Sequence, residues 1–531
     1  MIPRQVRNVL FGLLVLGFLY YAWRYILATS FIIDGTRYYV LFDDAMISMR
    51  YAYNLVHGNG LVWNVGERVQ GFTNPLWVFY MALLHLLPIP PAQLGLAVQV
   101  TGATLLVGTL YFVRRIVEHL TGDLLAMLAA VALTAFYAPL NSYGLLGMEV
   151  SALALIISAS VWLVLRNGVE RFTPWLYAAL AVGTLLRSDA AVPYVVVLAA
   201  MCFIQKQHRA RHLAWGLVLL ALSLGGQGLA SFLYYHDWLP NTYYLKLEGW
   251  PFALRLLRGL YALVWFVYYS NWVLFLLPLT LLLFRRDWKV ILPGAIILGQ
   301  LAYSVYVGGD AWEHHGGANR YICVAMPLLF ALLGASAGEL RRRAAPQAGG
   351  TRLAEIGSRA VWVACFVMAL LNFNLLMGDW KSIERWNLAR RPDYVAGSDT
   401  NLSIALGLRN TTTSDATIAV LGAGTVPYLL PENRVLDILG KTDPVIAHGP
   451  VRTPMSIEDV PDMRPGHMKW DYARTFGELK PDVIVSIWPG TEAEAAPYLQ
   501  DYVLGVIAPR IKVYLREGSP NILWDRVTIS G

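Results

Sequence analysis

Long apolar runs constrain this sequence more than any other feature. Runs long enough to cross the roughly 30 Å hydrocarbon core of a bilayer recur through about the first 380 residues and then stop. Only 15% of the residues are charged, whereas a soluble protein carries roughly a quarter. The sequence therefore predicts a polytopic α-helical membrane protein with a soluble C-terminal domain.

Basic clusters between the apolar runs orient the predicted spans. Cytoplasmic loops are enriched in Lys and Arg, and one arrangement of the runs places every basic cluster inside. It requires an anchor helix at the N-terminus and an interfacial helix between Pro75 and Pro88, because that segment is too short to cross. The eleven predicted spans lie near residues 9–28, 93–113, 123–141, 149–165, 174–187, 190–204, 213–235, 264–284, 290–307, 320–338 and 359–378. The C-terminal domain then lies outside the cytoplasm.

This topology predicts two domains. Residues 1–378 form the transmembrane domain, with residues 29–92 as its first external loop, and residues 379–531 form an extracytoplasmic α/β domain that we expect to bind the acceptor. Short apolar segments predict strands at 416–421, 434–437, 482–486, 511–515 and 521–524. The net charge of +7 comes from clusters that follow the positive-inside rule, so nucleic acid is not a predicted partner.

Asp43 and Asp44 open the polar part of the first external loop. Adjacent carboxylates repel each other, so the pKa of one of them should rise, which suits a general base. In the alternative interpretation, an aspartate simply caps the helix that follows. Arg50, Glu67 and Arg68 come later in a loop rich in Gly and Trp, which predicts a binding surface. We predict that the acidic pair is catalytic and that these three residues bind substrate.

Three cations on the predicted outer face are candidates for binding the phosphate of a donor. Arginine forks onto phosphate and lysine contributes a point charge, and the candidates are Lys246, Arg320 and Arg187. Arg187 lies near Asp189 where two short spans meet. An ion pair between them that closes the hairpin is therefore the alternative interpretation.

Further polar residues complete the predicted site. The predicted substrate-binding residues on the outer face are Glu149, Asp189, Asn241, Tyr243, Asp310, Glu313 and His314. Glu149 also suits the start of a helix, and the acidic residues near His314 match no specific metal motif, so we predict no metal. The predicted acceptor-binding residues of the C-terminal domain are Asp437, Asp443, His467 and Lys469, with ordinary loop surface as the alternative. Gly422-Ala-Gly424 lacks the third glycine of a dinucleotide loop, so no cofactor is predicted.

An outer face with carboxylates and cations, in a chain without a P-loop, suits a substrate that the membrane itself delivers, such as a lipid-phosphate sugar. The first loop, from Asp43-Asp44 through Gly60-Leu-Val-Trp-Asn64 to Gly71-Phe-Thr-Asn74, resembles that of the terminal arabinofuranosyltransferases of mycobacterial cell-wall arabinan. The segments 239–244, 308–310, 436–443 and 466–469 are similar too.

The resemblance implies a GT-C fold glycosyltransferase that uses polyprenyl-phosphate arabinose and inverts the sugar carbon. It implies that Asp43 or Asp44 is the general base. The expected partners are a polyprenyl-phosphate sugar, a glycan or lipid-linked acceptor and membrane lipids, and the expected location is the bacterial cytoplasmic membrane. A transporter or flippase of lipid-linked substrates, and a transferase of phospholipid headgroups or whole glycans, are the alternative functions.

Overall fold

Helices form most of this protein. The computed structural model describes residues 3–270, 272–313, 319–344, 352–375, 379, 381–452 and 456–529. The helices span Arg4–Ala28, Asp43–Val56, Pro75–His85, Pro91–Leu120, Leu124–Ala135, Ala138–Leu145, Val150–Asn167, Trp175–Leu186, Ala191–Ile204, Arg209–Leu220, Gly226–Tyr235, Asn241–Leu247, Phe252–Tyr269, Trp272–Leu276, Leu279–Phe284, Trp288–Tyr306, Arg320–Cys323, Met326–Ala344, Arg352–Asn374, Lys381–Trp386, Ser398–Thr411, Thr425–Leu429, Pro444–His448 and Glu492–Ala495.

Several of these helices suit a membrane. Among the described residues, six helical segments are long and apolar enough to cross one, and a bent pair of helices makes a seventh if it counts as one span. The six segments are Arg4–Ala28, Pro91–Leu120, Val150–Asn167, Lys206–Tyr235, Phe252–Tyr269 and Trp288–Tyr306. Shorter apolar helices, including Trp175–Leu186, occupy other predicted spans. The chain is therefore a helical membrane protein, and the count of eleven spans stays a prediction.

Prolines account for two differences between predicted and observed helices. The predicted span near 123–141 is bent by 50° between Leu124–Ala135 and Ala138–Leu145, and Pro139 stands in the first turn of the second helix. The predicted span near 264–284 starts earlier, at Phe252, and its last piece begins after Pro278. Proline cannot donate the backbone hydrogen bond that would continue a helix. The segment from Pro75 forms a helix of eleven residues.

The chain divides into two compact units, and their boundaries differ from the predicted domains. Unit 1 comprises residues 1–28, 99–225 and 255–393, and unit 2 comprises residues 29–98, 226–254 and 394–531. The first external loop therefore belongs with the C-terminal segment in unit 2. The buried guanidinium of Arg50 is one reason, because it donates hydrogen bonds to the carbonyls of Leu430 and Asn433.

The strands lie in unit 2. A hairpin pairs β1 (Ser30–Ile33) with β2 (Thr36–Tyr39). A six-stranded sheet has the order β4-β3-β5-β7-β6-β8, and its strands are β3 (Thr417–Val420), β4 (Arg434–Asp437), β5 (Val483–Ile484), β6 (Tyr502–Ala508), β7 (Ile511–Arg516) and β8 (Thr528–Ile529). β3 runs parallel to β4 and β5, and the other pairs are antiparallel.

Four predicted strand positions carry strands, and one does not. The segment 521–524 forms only an isolated bridge between Ile522 and Thr412, followed by a short 3-10 turn. β6 and β8 were not predicted from the sequence. Gly505 interrupts the apolar run of β6, and glycine weakens a strand pattern, while β8 has only two residues.

Candidate functional site

The predicted acidic pair begins the helix Asp43–Val56 in unit 2. Both aspartates lie in the first turn, and the N-cap residue is Phe42, without a side-chain cap hydrogen bond. Neither aspartate is therefore the N-cap that the alternative interpretation required. Negative charge in the first turn still favours the helix dipole, but that effect needs no second carboxylate.

Asp43 is held against the segment that follows β3. Its Oδ1 accepts a hydrogen bond from the backbone N–H of Thr425 at 2.9 Å. A Cβ on Gly424 would collide with the carbonyl oxygen of Asp43, so only glycine permits this close approach. Burial raises the pKa of Asp43, and the positive charge of Lys441 and the hydrogen bond from Thr425 only partly oppose that rise.

Asp44 shares the same lysine. Its Oδ1 lies 3.1 Å from Nζ of Lys441, whose side chain is buried. Burial alone would lower the pKa of Lys441, but the carboxylates of Asp44, Asp43 and Asp437 outweigh it and raise that pKa. Nδ2 of Asn241, a predicted substrate-binding residue, donates to the carbonyls of Gly440 at 2.8 Å and of Lys441 at 3.2 Å. Asn241 thus positions the lysine.

Lys441 is a residue of the candidate site that was not predicted from the sequence. It lies inside the segment 436–443, which carries part of the family resemblance. The family resemblance therefore pointed to the segment that contains Lys441. Nothing in the sequence, however, indicated that this lysine meets a carboxylate 397 positions earlier in the chain.

Two predicted acceptor residues lie in the same neighbourhood. Burial raises the pKa of Asp437 to about 6, although the backbone N–H groups of Leu439 and Thr442 donate to its carboxylate. Burial lowers the pKa of His467 to about 3, and the charge of Lys441 acts in the same direction. His467 is therefore neutral at physiological pH, and its ring stacks on Trp488.

Lys246, a predicted phosphate ligand, belongs to this neighbourhood as well. Its side chain passes Gly466, where an added Cβ would lie 3.2 Å from Cε of Lys246. Its charge also contributes to the low pKa of His467. Unit 2 thus brings together the acidic pair, Lys441, Lys246, Asp437 and His467.

Other predicted site residues in unit 2 hold the structure together. The guanidinium of Arg50 is buried and donates to the carbonyls of Trp63, Pro427, Leu430 and Asn433 and to Oδ1 of Asn64. Lys469 donates to the carbonyls of Ala447 at 2.6 Å and Tyr244 at 3.3 Å. Both side chains hold loops through backbone carbonyls, and we leave both out of the proposed site.

The remaining predicted residues of unit 2 lie at its surface or cap a helix. Asp443 caps the helix Pro444–His448, accepting from the N–H groups of Val445 and Ile446, and pairs with Arg474. Tyr243 is exposed. An exposed ion pair at 2.8 Å joins Glu67 to Arg434, and the guanidinium of Arg68 lies 4.9 Å from the ring centre of Tyr234.

Unit 1 contains a second ionic cluster, around Arg187. The guanidinium of Arg187 forks onto Asp189, with Nε 2.6 Å from Oδ1 and Nη2 2.9 Å from Oδ2. Its Nη1 lies 3.0 Å from Oε1 of Glu149. All three side chains are buried. The mutual ion pair considered as the alternative interpretation is therefore formed, with Glu149 as a third member.

Arg320 is paired in the same way. Its Nε lies 3.0 Å and its Nη2 3.1 Å from the carboxylate of Asp310, and its backbone N–H also donates to that carboxylate. Glu313 pairs with Arg258 at 2.7 Å, and burial raises the pKa of Glu313 to about 7. His314 lies outside the described residues.

Charge balance distinguishes this cluster from a ready-made phosphate site. Among the described residues, three arginines face four carboxylates; the arginines are Arg187, Arg258 and Arg320, and the carboxylates are Glu149, Asp189, Asp310 and Glu313. The cluster thus has no surplus of positive charge for a phosphate. A phosphate would have to bind beside carboxylates that already pair with these arginines.

Comparisons with known proteins place this architecture. A domain of unknown function (DUF8728) matches residues 385–515. A terminal β-(1→2)-arabinofuranosyltransferase of Corynebacterium glutamicum is 30% identical over 128 residues, which are 23% of this chain and 18% of that protein. This match therefore covers less than a fifth of the length of the curated relative.

Solved structures match nearly the whole chain. ArnT from Cupriavidus metallidurans, solved with undecaprenyl phosphate, has a TM-score of 0.56 at 13% identity, covering 97% of this chain and 98% of that one. The oligosaccharyltransferase AglB from Archaeoglobus fulgidus, solved with an inhibitory peptide and a dolichol-phosphate, has a TM-score of 0.52 at 10% identity, covering 98% and 75%. The fold is that of the GT-C glycosyltransferases, as the first-loop resemblance predicted.

Proposed function

We propose that this protein is a membrane glycosyltransferase that moves a sugar from a polyprenyl-phosphate donor to a cell-envelope glycan, with Asp43 as the general base. One observation carries the proposal: on a GT-C fold, two adjacent carboxylates share a single buried lysine. The relative from Corynebacterium glutamicum and the first-loop resemblance make arabinofuranose the first sugar to test.

The reaction needs one proton acceptor and a leaving group that departs with its electrons. In the proposed step, the carboxylate of Asp43 takes the proton from an acceptor hydroxyl, and the oxygen attacks the anomeric carbon. The new C–O bond forms as the bond between that carbon and the phosphate oxygen breaks. The electron pair leaves with the polyprenyl phosphate. Attack opposite the leaving group inverts the anomeric carbon.

Their contacts give the two aspartates different roles. Asp44 forms the ion pair with Lys441, so one of its oxygens is already engaged by that lysine. The raised pKa of Asp43 suits a proton acceptor, since a general base works best with a pKa near the operating pH. We therefore assign the base to Asp43 and the orientation of Lys441 to Asp44.

The donor phosphate needs cations, and unit 2 supplies two. The charges of Lys441 and Lys246 both lower the pKa of His467, so both lysines lie near this histidine. Lysine is a regular phosphate ligand. We propose these two as the phosphate-binding residues of unit 2. Arg187 and Arg320, which like Lys441 already pair with carboxylates, remain further candidates.

We place the reaction on the extracytoplasmic face of the bacterial cytoplasmic membrane. The positive-inside pattern puts the first loop and the C-terminal segment on that side. A membrane-impermeant maleimide tests this orientation in intact cells. It should label a cysteine at the exposed position Asn59 and not one at the exposed position Gln207, which lies in a predicted cytoplasmic connection. Labelling in the reverse pattern would overturn the orientation.

A screen of lipid-phosphate sugars tests the reaction. Full-length protein in vesicles is given polyprenyl phosphates that carry arabinofuranose or hexoses, with arabinan oligosaccharides as acceptors. We expect transfer from the arabinofuranose donor, with inversion visible in the product anomer by NMR. The double variant Asp43→Asn/Asp44→Asn is the inactive control. Retention of configuration, or a folded protein that transfers none of these sugars, would contradict the proposal.

A further inference from the structure

A cavity opens in unit 2 beyond the carboxyl ends of two parallel strands. Its volume is about 310 Å³, within the range of about 300–1,000 Å³ that is usual for ligand pockets. Leu421 and Gly422 follow β3 at this edge, and Val485 and Ser486 follow β5. None of the residues predicted from the sequence to bind substrate or acceptor lines it.

The position of this cavity in the sheet is that of a ligand crevice. β3 lies between β4 and β5 and runs parallel to both. The chain leaves β3 for β4 on one side and then crosses to β5 on the other, which makes the gap between β3 and β5 a topological switch point. In open α/β sheets, ligands bind outside the carboxyl ends of the strands at this point.

Nucleotides are common ligands of such crevices, but an occupied helix start excludes them here. Nucleotide phosphates bind at the start of the helix that follows the first strand. Here that helix is Thr425–Leu429, and the N–H of Thr425 already donates to the carboxylate of Asp43. A phosphate at this position would meet a negative charge. The crevice therefore offers a ligand site at the switch point, but the start of its helix does not offer a phosphate site.

Gly422 joins the cavity to the proposed base. A Cβ built on Gly422 would lie 3.4 Å from Oδ2 of Asp43 and 3.5 Å from Nδ2 of Asn401. Asn401 and Gly422 both line the cavity. A ligand in the cavity that extends past Gly422 therefore reaches the carboxylate of Asp43.

The walls combine apolar and neutral polar groups with two cations, Arg510 and Lys512. Ile404 and Val426 are buried apolar residues of the lining, while Thr400, Asn401 and Ser486 supply hydroxyl and amide groups. Sugar rings present the same mixture, with apolar C–H faces and a rim of hydroxyls that donate and accept hydrogen bonds. This chemistry suits a saccharide.

Backbone strain marks one residue at the rim. Arg510 lines the cavity from the turn between β6 and β7, and its φ is +64°. This region costs free energy for any residue other than glycine, and Pro509 before it makes the turn one that favours glycine at this position. Strain of this kind clusters at functional sites, although it also occurs elsewhere in this chain, as at Lys480. Here it keeps an arginine at the cavity mouth.

We propose that this switch-point crevice is the acceptor site, which holds the end of a glycan so that its hydroxyl passes Gly422 to reach Asp43. This inference rests on the proposed function for the reaction, but binding of a saccharide in the crevice is measurable without any transfer. It gives the C-terminal segment a role in acceptor recognition through residues other than those predicted from the sequence.

Arg510→Gly is the sharpest test, because it separates stability from binding. Glycine fits the backbone at this position, so the thermal unfolding temperature of the full-length protein should stay level or rise. Affinity for an arabinan oligosaccharide, measured by saturation-transfer NMR titration in nanodiscs, should fall about tenfold, the equivalent of about 1.4 kcal/mol. Asn401→Ala and Ser486→Ala should act in the same direction, with the acceptor KM raised and the donor KM unchanged.

Lys480→Gly is the matched control. Lys480 is also exposed, also has a positive φ of 41° and also carries one positive charge in unit 2, but it does not line the cavity. It should leave oligosaccharide affinity unchanged. An equal loss in both variants would overturn the proposal, because net charge or backbone change would then explain it.

The outcomes separate this inference from the proposed function. If wild-type protein transfers sugar and the cavity variants keep the wild-type acceptor KM and affinity, the crevice is not the acceptor site although the function stands. If no transfer occurs but wild-type protein binds the oligosaccharide and Arg510→Gly loses it, the site stands and the reaction fails. Binding of inorganic phosphate or ATP that displaces the oligosaccharide would overturn the saccharide assignment, as would the absence of any saccharide binding.

Discussion

The two units of this protein hold their buried charged side chains in different ways. In unit 1, Arg187 and Arg320 each fork onto a carboxylate at hydrogen-bond distance. In unit 2, Asp43 and Asp44 stand side by side, and Lys441 is the cation paired directly with Asp44. The first arrangement holds both arginines by direct hydrogen bonds to carboxylates, whereas in the second Asp43 is held by the backbone N–H of Thr425.

The difference indicates what each cluster is built for. Buried ion pairs repay their desolvation only when the geometry is good, and the forked pairs of unit 1 have that geometry. They suit a structural role unless a ligand displaces them. A carboxylate whose pKa is raised beside a second carboxylate suits proton transfer instead.

Replacing the proposed base should have the largest effect. Asp43→Asn removes the proton acceptor and should lower kcat by about 10²–10⁴-fold, the usual contribution of general base catalysis. Asp44→Asn should lower kcat by only about tenfold, because it disturbs Lys441 without removing the base, while Asp415→Asn at an exposed site should have no effect. The measurement is the initial rate of transfer in vesicles. If Asp44→Asn is the more damaging change, the roles of the two aspartates are reversed.

Breaking an ion pair in unit 1 should chiefly lower the stability of the fold. Arg320→Met removes the arginine that pairs with the buried carboxylate of Asp310, which should destabilise the fold by about 3–5 kcal/mol. The double variant Arg320→Met/Asp310→Leu should recover most of this loss, because it removes both charges. Thermal unfolding in detergent measures both. If the double variant regains stability but still shows a raised KM for the donor, Arg320 binds the donor phosphate.

Lys441 should set the pH dependence of the reaction. Asp43 works as a base only when it is ionised, so activity rises as pH rises through its pKa. The charge of Lys441 opposes the upward shift of that pKa. Lys441→Met should therefore move the acid limb of the kcat/KM profile to higher pH, and Lys441→Arg should restore it. A profile that falls in amplitude without moving would assign Lys441 to donor binding alone.

Replacing a surface residue of the first loop should have the smallest effect on stability and activity. Glu67→Gln removes an exposed ion pair with Arg434, and exposed pairs contribute about 0–1 kcal/mol. We expect an unfolding temperature close to that of the wild type and unchanged kinetics. A substantially raised KM for donor or acceptor would instead support the original prediction that Glu67 binds substrate.

Local patterns explain why part of this architecture was predictable. Apolar runs identified the membrane helices because hydropathy is a property of consecutive residues, and prolines mark where those helices bend. The adjacent carboxylates of Asp43 and Asp44 were visible for the same reason. The strands β3, β4 and β7 also stood out as short apolar runs between turn residues.

Long-range pairing was not predictable in this way. Arg50 looked like a substrate ligand until its guanidinium proved to hold carbonyls almost 400 positions away. The division of the chain also escaped prediction, since the first external loop packs with a segment that begins near residue 394. No period or motif in one stretch of sequence encodes which distant stretch it will meet.

Hydrophobicity and neighbouring charges are local properties, so the order of residues is enough to predict a helical membrane protein with an acidic first loop. Which charges are compensated depends on tertiary packing. It placed Lys441 against Asp44, Arg320 against Asp310 and the switch-point crevice beside Asp43. The physical reason is that the pKa and the availability of a charged group depend on burial and on its partners, and both are set by packing.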